Sequence, residues 1–336
     1  MQQLRPLTLG EILDRTAELY RRNFVLFAGI AAIFAGMMLA IQLFHLLVLR
    51  LSGYPHIAPH LEWVSAVSAV VQMLAIVLIA GLSIAATTRA VAWVYLGHPA
   101  SIAGAVRSVM PRKGRYIWLM TITFFRAWAP MALLYVIAAV LMLRTLPHGF
   151  FINPAVAQQT GQNPEAFGPF IVGVLAMAPF FIAAIVYGVW MSLRLSLGVP
   201  AAVVEDLPAT RALKRSVELA KGSLGRIFVL GLLVYAVDII VGIVLSIPFL
   251  FETFRHHGVP SLAMLSWQQV ASFITDSLIG PIYATGLTLF YYDQRIRKEG
   301  FDIEWMMRAA GLEASPEAAS AAALSQPPES SSIEPA

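Results

Sequence analysis

The sequence predicts an all-α integral membrane protein: six transmembrane helices in three hairpins, each hairpin preceded by a short amphipathic interfacial helix. Three observations carry that prediction. Of the 336 residues, 58% are apolar and only 12% are charged, whereas soluble domains carry about 45–50% apolar and about 25% charged residues. Six separate stretches are long and apolar enough to cross a bilayer, which takes about 20 residues. A basic amphipathic stretch recurs ahead of the first, third and fifth of them.

The chain starts with a polar segment that holds Arg15, Arg21 and Arg22. The first span follows at roughly 24–49; it is too long for a signal-peptide core and lacks a small-residue cleavage site, so it reads as an uncleaved helix. The next five spans are expected at roughly 65–88, 116–143, 169–193, 227–251 and 268–291 on the same length criterion. Pro130, Pro179, Pro248 and Pro281 lie inside them. A membrane bundle tolerates such prolines as kinks, because neighbouring groups satisfy the freed carbonyls. The six spans form one membrane domain over residues 1–308. Residues 309–336 are rich in Ala, Ser, Pro and Glu and have no basic residue, so an acidic, disordered tail is expected there.

Charge fixes the orientation. With six spans and both termini cytoplasmic, nineteen of the 23 basic residues fall on the cytoplasmic side. Only Arg50, Arg144 and Arg255 fall on the other side, and Arg126 lies within a span. That asymmetry is a strong positive-inside signal. The recurring stretch also aligns without a gap: Leu13–Phe24 (LDRTAELYRRNF) on Leu213–Leu224 (LKRSVELAKGSL), with a weaker copy from Ala105 to Tyr116. A helix lying in the headgroup plane with its cations on anionic lipid fits this pattern, as does a collar that merely obeys the positive-inside rule. Arg15, Arg21, Arg107, Arg215, Lys221, Arg295 and Arg297 are the candidate headgroup contacts.

Several residues resist explanation as packing. Arg126 lies about ten residues, or about 15 Å, into the third span, where an arginine costs at least about 2.5–3.5 kcal/mol. Asp238 is at a similar depth in the fifth span. Laying Arg107 on Arg215 aligns Arg126 with Val234, one turn before Asp238. The two are therefore candidates for an intramembrane polar pair, either structural or part of a polar path. Asp276 is expected near interfacial water, and Gln42, His45 and Gln72 in interhelical hydrogen bonds. Ala32, Gly36 and Ala40 make a small-residue stripe for close helix approach. Tyr291 and Tyr292 suit an interfacial aromatic belt, and the pairs Asp293–Arg297 and Arg295–Glu299 should extend the sixth helix.

No catalytic residue, cofactor or metal is expected. Cysteine is absent, Pro59 separates His56 from His60, and His256 and His257 are adjacent, whereas zinc needs three or four converging ligands. The basic residues are spread along membrane boundaries, which does not suit nucleic acid as a partner.

Three stretches taken together, RPLTLGEILDR (Arg5–Arg15) with LYRRNF (Leu19–Phe24), PAAVVED (Pro200–Asp206) with ALKRS (Ala212–Ser216), and YYDQRIRKEGFD (Tyr291–Asp302), resemble the bacterial glycerophosphoryl diester phosphodiesterase membrane-domain family. The resemblance covers nearly everything but the tail. It implies a polytopic module of the bacterial inner membrane, which some members carry fused to a soluble phosphodiesterase barrel and others carry alone. The chain has no His-Arg-Gly segment of the kind expected at that enzyme's site, so the resemblance implies no phosphodiesterase activity. The resulting expectation is a non-enzymatic, lipid-interacting or envelope-organising protein whose partners are membrane lipids, with a protein partner or a second copy possible. The alternative is a small transporter or channel that uses Arg126 and Asp238.

Overall fold

The computed structural model describes residues 5–53, 62–145, 168–255 and 261–301. They fall into two compact units, Leu7–Tyr292 and a second one whose described residues are 5–6 and 293–301. Every regular element among the described residues is helical: α1 Leu9–Arg22, α2 Phe24–Leu51, α3 Glu62–Tyr95, α4 Ile102–Val109, α5 Lys113–Thr145, α6 Gly168–Leu195, α7 Gly198–Val204, α8 Ala209–Ala220, α9 Leu224–Arg255 and α10 Leu262–Glu299. Six of these, α2, α3, α5, α6, α9 and α10, are long and apolar enough to cross a membrane. The six expected spans are therefore present, each within a longer helix. The histidines at 56, 60, 256 and 257 and the tail at 309–336 lie outside the described residues.

Local chemistry explains where the short helices begin. The Thr8 hydroxyl accepts from the Glu11 N–H, and the Glu11 carboxylate accepts from the Thr8 N–H at 2.7 Å; this reciprocal cap satisfies two donors that the first turn of α1 would leave orphaned. Ser101 caps α4 through the Gly104 N–H. On α1, Ile12 and Thr16 are buried while Asp14, Arg21 and Arg22 are exposed, so the amphipathic periodicity read in the sequence corresponds to a real two-faced helix. On α8, Leu213, Ser216 and Leu219 are buried and Arg211, Lys214 and Glu218 exposed.

Among the long helices, α2 packs along α3, α5 along α6, and α3 along α5. The contacts are closest where glycine removes a side chain. A Cβ at Gly188 would stand 3.1 Å from the Ala127 carbonyl oxygen, and one at Gly81 3.3 Å from that of Tyr116. The small-residue stripe expected on α2 is not its packed face. Phe27, Ile30, Ala31, Phe34 and Ala35 are buried instead, and Ala40 is exposed. A helix face is chosen by what lies opposite it, which residue size within one span does not reveal.

The outer helices carry bare apolar surface: Leu133 is 60% exposed, Leu175 66% and Ile240 62%. In water so large an apolar exposure would drive aggregation; lipid tails solvate it. The last long helix, α10, is the most enclosed of the six. Tyr291 and Tyr292, expected in an exposed aromatic belt, are fully buried, with the Tyr292 ring 5.2 Å from that of Tyr95. Position near a span end sets depth, but here the protein interior reaches that depth. In the smaller unit Arg297 pairs with Asp293 at 3.0 Å and Arg295 with Glu299 at 3.1 Å, the two i,i+4 pairs that the sequence suggested.

Candidate functional site: a polar cavity between transmembrane helices

Two hydrogen bonds tie α9 to α10. The Trp267 indole N–H donates to the Leu245 carbonyl at 3.0 Å, and the Ser246 hydroxyl to the Gln268 side-chain oxygen at 3.4 Å. With the chain running back on itself between the helices, Asp238 lies eight residues from Ser246 and Asp276 eight residues from Gln268. At about 1.5 Å rise per residue, both carboxyls sit about 12 Å from the tie, at one level of the helix pair. The local α10 sequence adds a break: Pro281 has no N–H to bond the carbonyl four residues earlier, and Gly280 beside it brings no side chain.

Above and below that level, α2, α3, α9 and α10 line a partly open cavity of about 750 Å³. Along α10 it runs from Gln268 to Ala284, about 24 Å at about 1.5 Å per residue, most of a hydrocarbon core about 30 Å thick. Phe34, Ile76, Ile79, Ile243 and Leu250 give it apolar walls. Both Asp238 and Asp276 line it, as do Gln42, Ser83, Thr87, Ser272 and Tyr283. Among the described residues, none of these seven side chains hydrogen-bonds another protein group. Thr87 is only 1% exposed, yet its side chain belongs to the cavity wall. Among the described residues, the lining contains no Lys, Arg or His.

The expected pair does not form. Arg126 is exposed on α5 and is not among the cavity residues, whereas Asp238 faces the cavity; no ion pair joins them among the described residues. The repeat register placed the two at similar depth, but depth says nothing about azimuth. Asp276, expected near interfacial water, is exposed and lines the cavity with Asp238. The signal was present in the chain: 238 and 276 are equidistant from position 257, in the connection between the two helices. His45 does make the expected kind of interhelical bond, Nδ1 to the Ser68 hydroxyl at 2.8 Å. Gln42 does not, because it lines the cavity.

A second polar cluster is structural. Arg215 Nε donates to both Glu205 oxygens at 3.1 and 3.2 Å, and the Tyr291 hydroxyl donates to the same carboxylate. The neighbouring Asp206 accepts from Arg112 at 2.5 Å and Arg115 at 2.6 Å. The second and third sequence motifs therefore meet at Glu205, following α7, a short helix buried from Gly198 to Val203 that hydropathy alone did not separate from its surroundings. This gives Arg215 a protein partner. Of the other candidate headgroup contacts, Arg15 pairs with Glu18 at 2.7 Å, and Arg295 and Arg297 with Glu299 and Asp293. Arg21, Arg107 and Lys221 are exposed.

No ligand-type cluster of three or more His, Asp or Glu side chains occurs among the described residues. Comparisons with curated proteins and with solved structures return no match, and the resemblance to the glycerophosphoryl diester phosphodiesterase membrane-domain family finds no support in them. One family model does match, over residues 7–294, and the chain belongs to that family, a domain of unknown function (DUF7847).

Proposed function

We propose that this is a non-enzymatic integral protein of the bacterial inner membrane that binds a lipid-like amphiphile in the cavity between α2, α3, α9 and α10. The observation that carries this reading is the cavity lining: seven polar side chains that hydrogen-bond no other described residue, set among apolar walls between helices long and apolar enough to cross a membrane. In hydrocarbon each unsatisfied polar group costs several kcal/mol. A molecule with a polar head and an apolar chain matches both kinds of wall, and the volume falls in the range of about 300–1,000 Å³ usual for ligand sites.

The finer topology belongs to the same proposal. Three hairpins, led by α1, α4 and α8 lying in the headgroup plane, follow from the repeated basic stretches and their two-faced burial. The exposed Arg21 and Arg107 are candidates for anionic headgroups. Nineteen basic residues on one side support cytoplasmic termini. The motif resemblance to the glycerophosphoryl diester phosphodiesterase membrane-domain family supports an envelope setting, with no enzymatic role.

Native mass spectrometry of the protein released gently from its membrane tests the reading. The expected result is an amphiphile retained at fixed stoichiometry by the parent chain and lost from Gly242→Phe, since Gly242 lines the cavity and meets nothing within 4 Å. A lipid-free protein, or equal retention by the variant, would sink it. A transport reading draws on the same polar lining, now with Asp238 and Asp276 in place of Arg126. Single cysteines at Ser83 and Thr87, in a chain with no cysteine of its own, would then react with aqueous thiol reagents from one side; uniform protection counts against a water-accessible route.

A further inference from the structure

We propose that the cavity selects a positively charged head, so that its ligand is an amine-bearing amphiphile. This rests on the amphiphile-binding reading above and adds the sign of the head. Three observations lead there. Asp238 and Asp276 line the cavity at one level, one from α9 and one from α10. Among the described residues, the lining supplies no Lys, Arg or His to balance them. Ionisable groups inside a membrane pair with one another or mark an ion or substrate path, and among the described residues no protein cation is on this wall.

The remaining polar groups agree with an ammonium head. Thr87, nine-tenths or more buried, together with Ser83, Ser272 and the Gln42 amide, offers oxygen acceptors that no protein donor uses. An ammonium brings up to three N–H donors and no acceptor, the complement of a wall rich in oxygen. A bare divalent metal fits less well. Calcium takes six to eight oxygen ligands at about 2.3–2.6 Å, whereas this site has two carboxylates in a cavity of about 750 Å³. The apolar walls beyond the carboxylates leave room for a chain.

The test is a titration of the full-length protein in nonionic detergent with three probes of one chain length: hexadecylamine, hexadecanol and palmitate. Binding is read as mass adducts and by displacement of the retained lipid. A charge-assisted hydrogen bond contributes about 1.5–3 kcal/mol, so hexadecylamine should bind at least about tenfold more tightly than hexadecanol, and palmitate most weakly. Asp238→Asn and Asp276→Asn should each reduce the amine preference, and together abolish it, with hexadecanol binding unchanged. Asp238→Glu, which keeps the charge, should retain the preference and controls for misfolding. Equal affinity for all three heads would overturn the charge inference and leave the amphiphile reading standing. Absence of any adduct, in the parent chain and in Gly242→Phe alike, would overturn the amphiphile reading itself.

Discussion

Asp206 is the one non-glycine residue with a positive φ, 56°, among those described. The left-handed region costs most L-residues about 1–2 kcal/mol, with Asp and Asn better tolerated because their short side chains bond locally. Asp206 uses that conformation to present one oxygen to both Arg112 and Arg115. Its pairs are part-exposed, so each contributes at most about 1 kcal/mol. Asp206→Ala should therefore lower the melting temperature more than Asp206→Gly, by the equivalent of about 1 kcal/mol, because glycine keeps the backbone and loses only the pairs. Equal losses would mean that backbone strain plays no part. Tyr20 offers a second measurement. Its hydroxyl donates to the Leu278 carbonyl at 2.7 Å, and burial pushes the phenol above its ordinary value of 10.0. A raised folded-state value means this contribution is complete below about pH 10 and fades as the pH rises through the raised one. Tyr20→Phe should cost about 0.5–1.5 kcal/mol at neutral pH, with the difference shrinking in strong alkali. Arg126, exposed at mid-span, gives the opposite sign: Arg126→Leu should leave amphiphile binding intact and keep or raise thermal stability, since an arginine there costs at least about 2.5–3.5 kcal/mol.

At the scale of elements, the short helices carry the clearest sequence signal. α1 and α8 derive from the aligned stretches, and the equivalence persists in three dimensions. Arg15 pairs with Glu18 and Arg215 with Glu218, both at i,i+3. Thr16 and Ser216, which align, are both buried hydroxyls that donate to carbonyls, of Ile12 at 2.7 Å and Arg194 at 2.8 Å. The first bond stays within its helix, while the second reaches from α8 to α6. Identical periodicity thus produces similar helices with different partners, and no reading of one helix reveals the partner. Removing the cap by Thr8→Ala should cost about 1 kcal/mol, visible as faster hydrogen exchange in the first turn of α1. Gly188→Val should be worse, because the Cβ meets a backbone carbonyl that has little freedom to move. Overpacking costs about 1–3 kcal/mol, and the expected signature is early proteolysis between α5 and α6.

At the scale of the molecule, the apolar side chains exposed on α5, α6 and α9 and the enclosed α10 define a bundle solvated by lipid. The orientation has a direct check: reporter domains that are active only outside the cytoplasm should stay inactive when fused at either end, and become active when inserted after Arg144. Activity at an end would reverse or break the topology. The cavity is also a property of this scale, since it needs four helices from opposite ends of the chain. Its two acids are separated by a long helical excursion, and Gln42, Ser83 and Thr87 come from elements close to the start.

The sequence by itself determined the all-helical class, the six helices long and apolar enough to cross a membrane, the two-faced α1 and α8, and the polar extension of α10. These follow from local quantities: length, hydropathy, helical period and charge bias act over at most a few turns. Only the tertiary structure decided which face of each helix is covered, that Tyr291 and Tyr292 are core, that Arg215 turns to Glu205, and that Asp238 shares a cavity lining with Asp276 and not with Arg126. Inside a bilayer the hydrophobic force does not distinguish a lipid neighbour from a protein one. Azimuth is therefore set by close packing and hydrogen bonds between helices distant in the chain, and hydropathy carries no record of those.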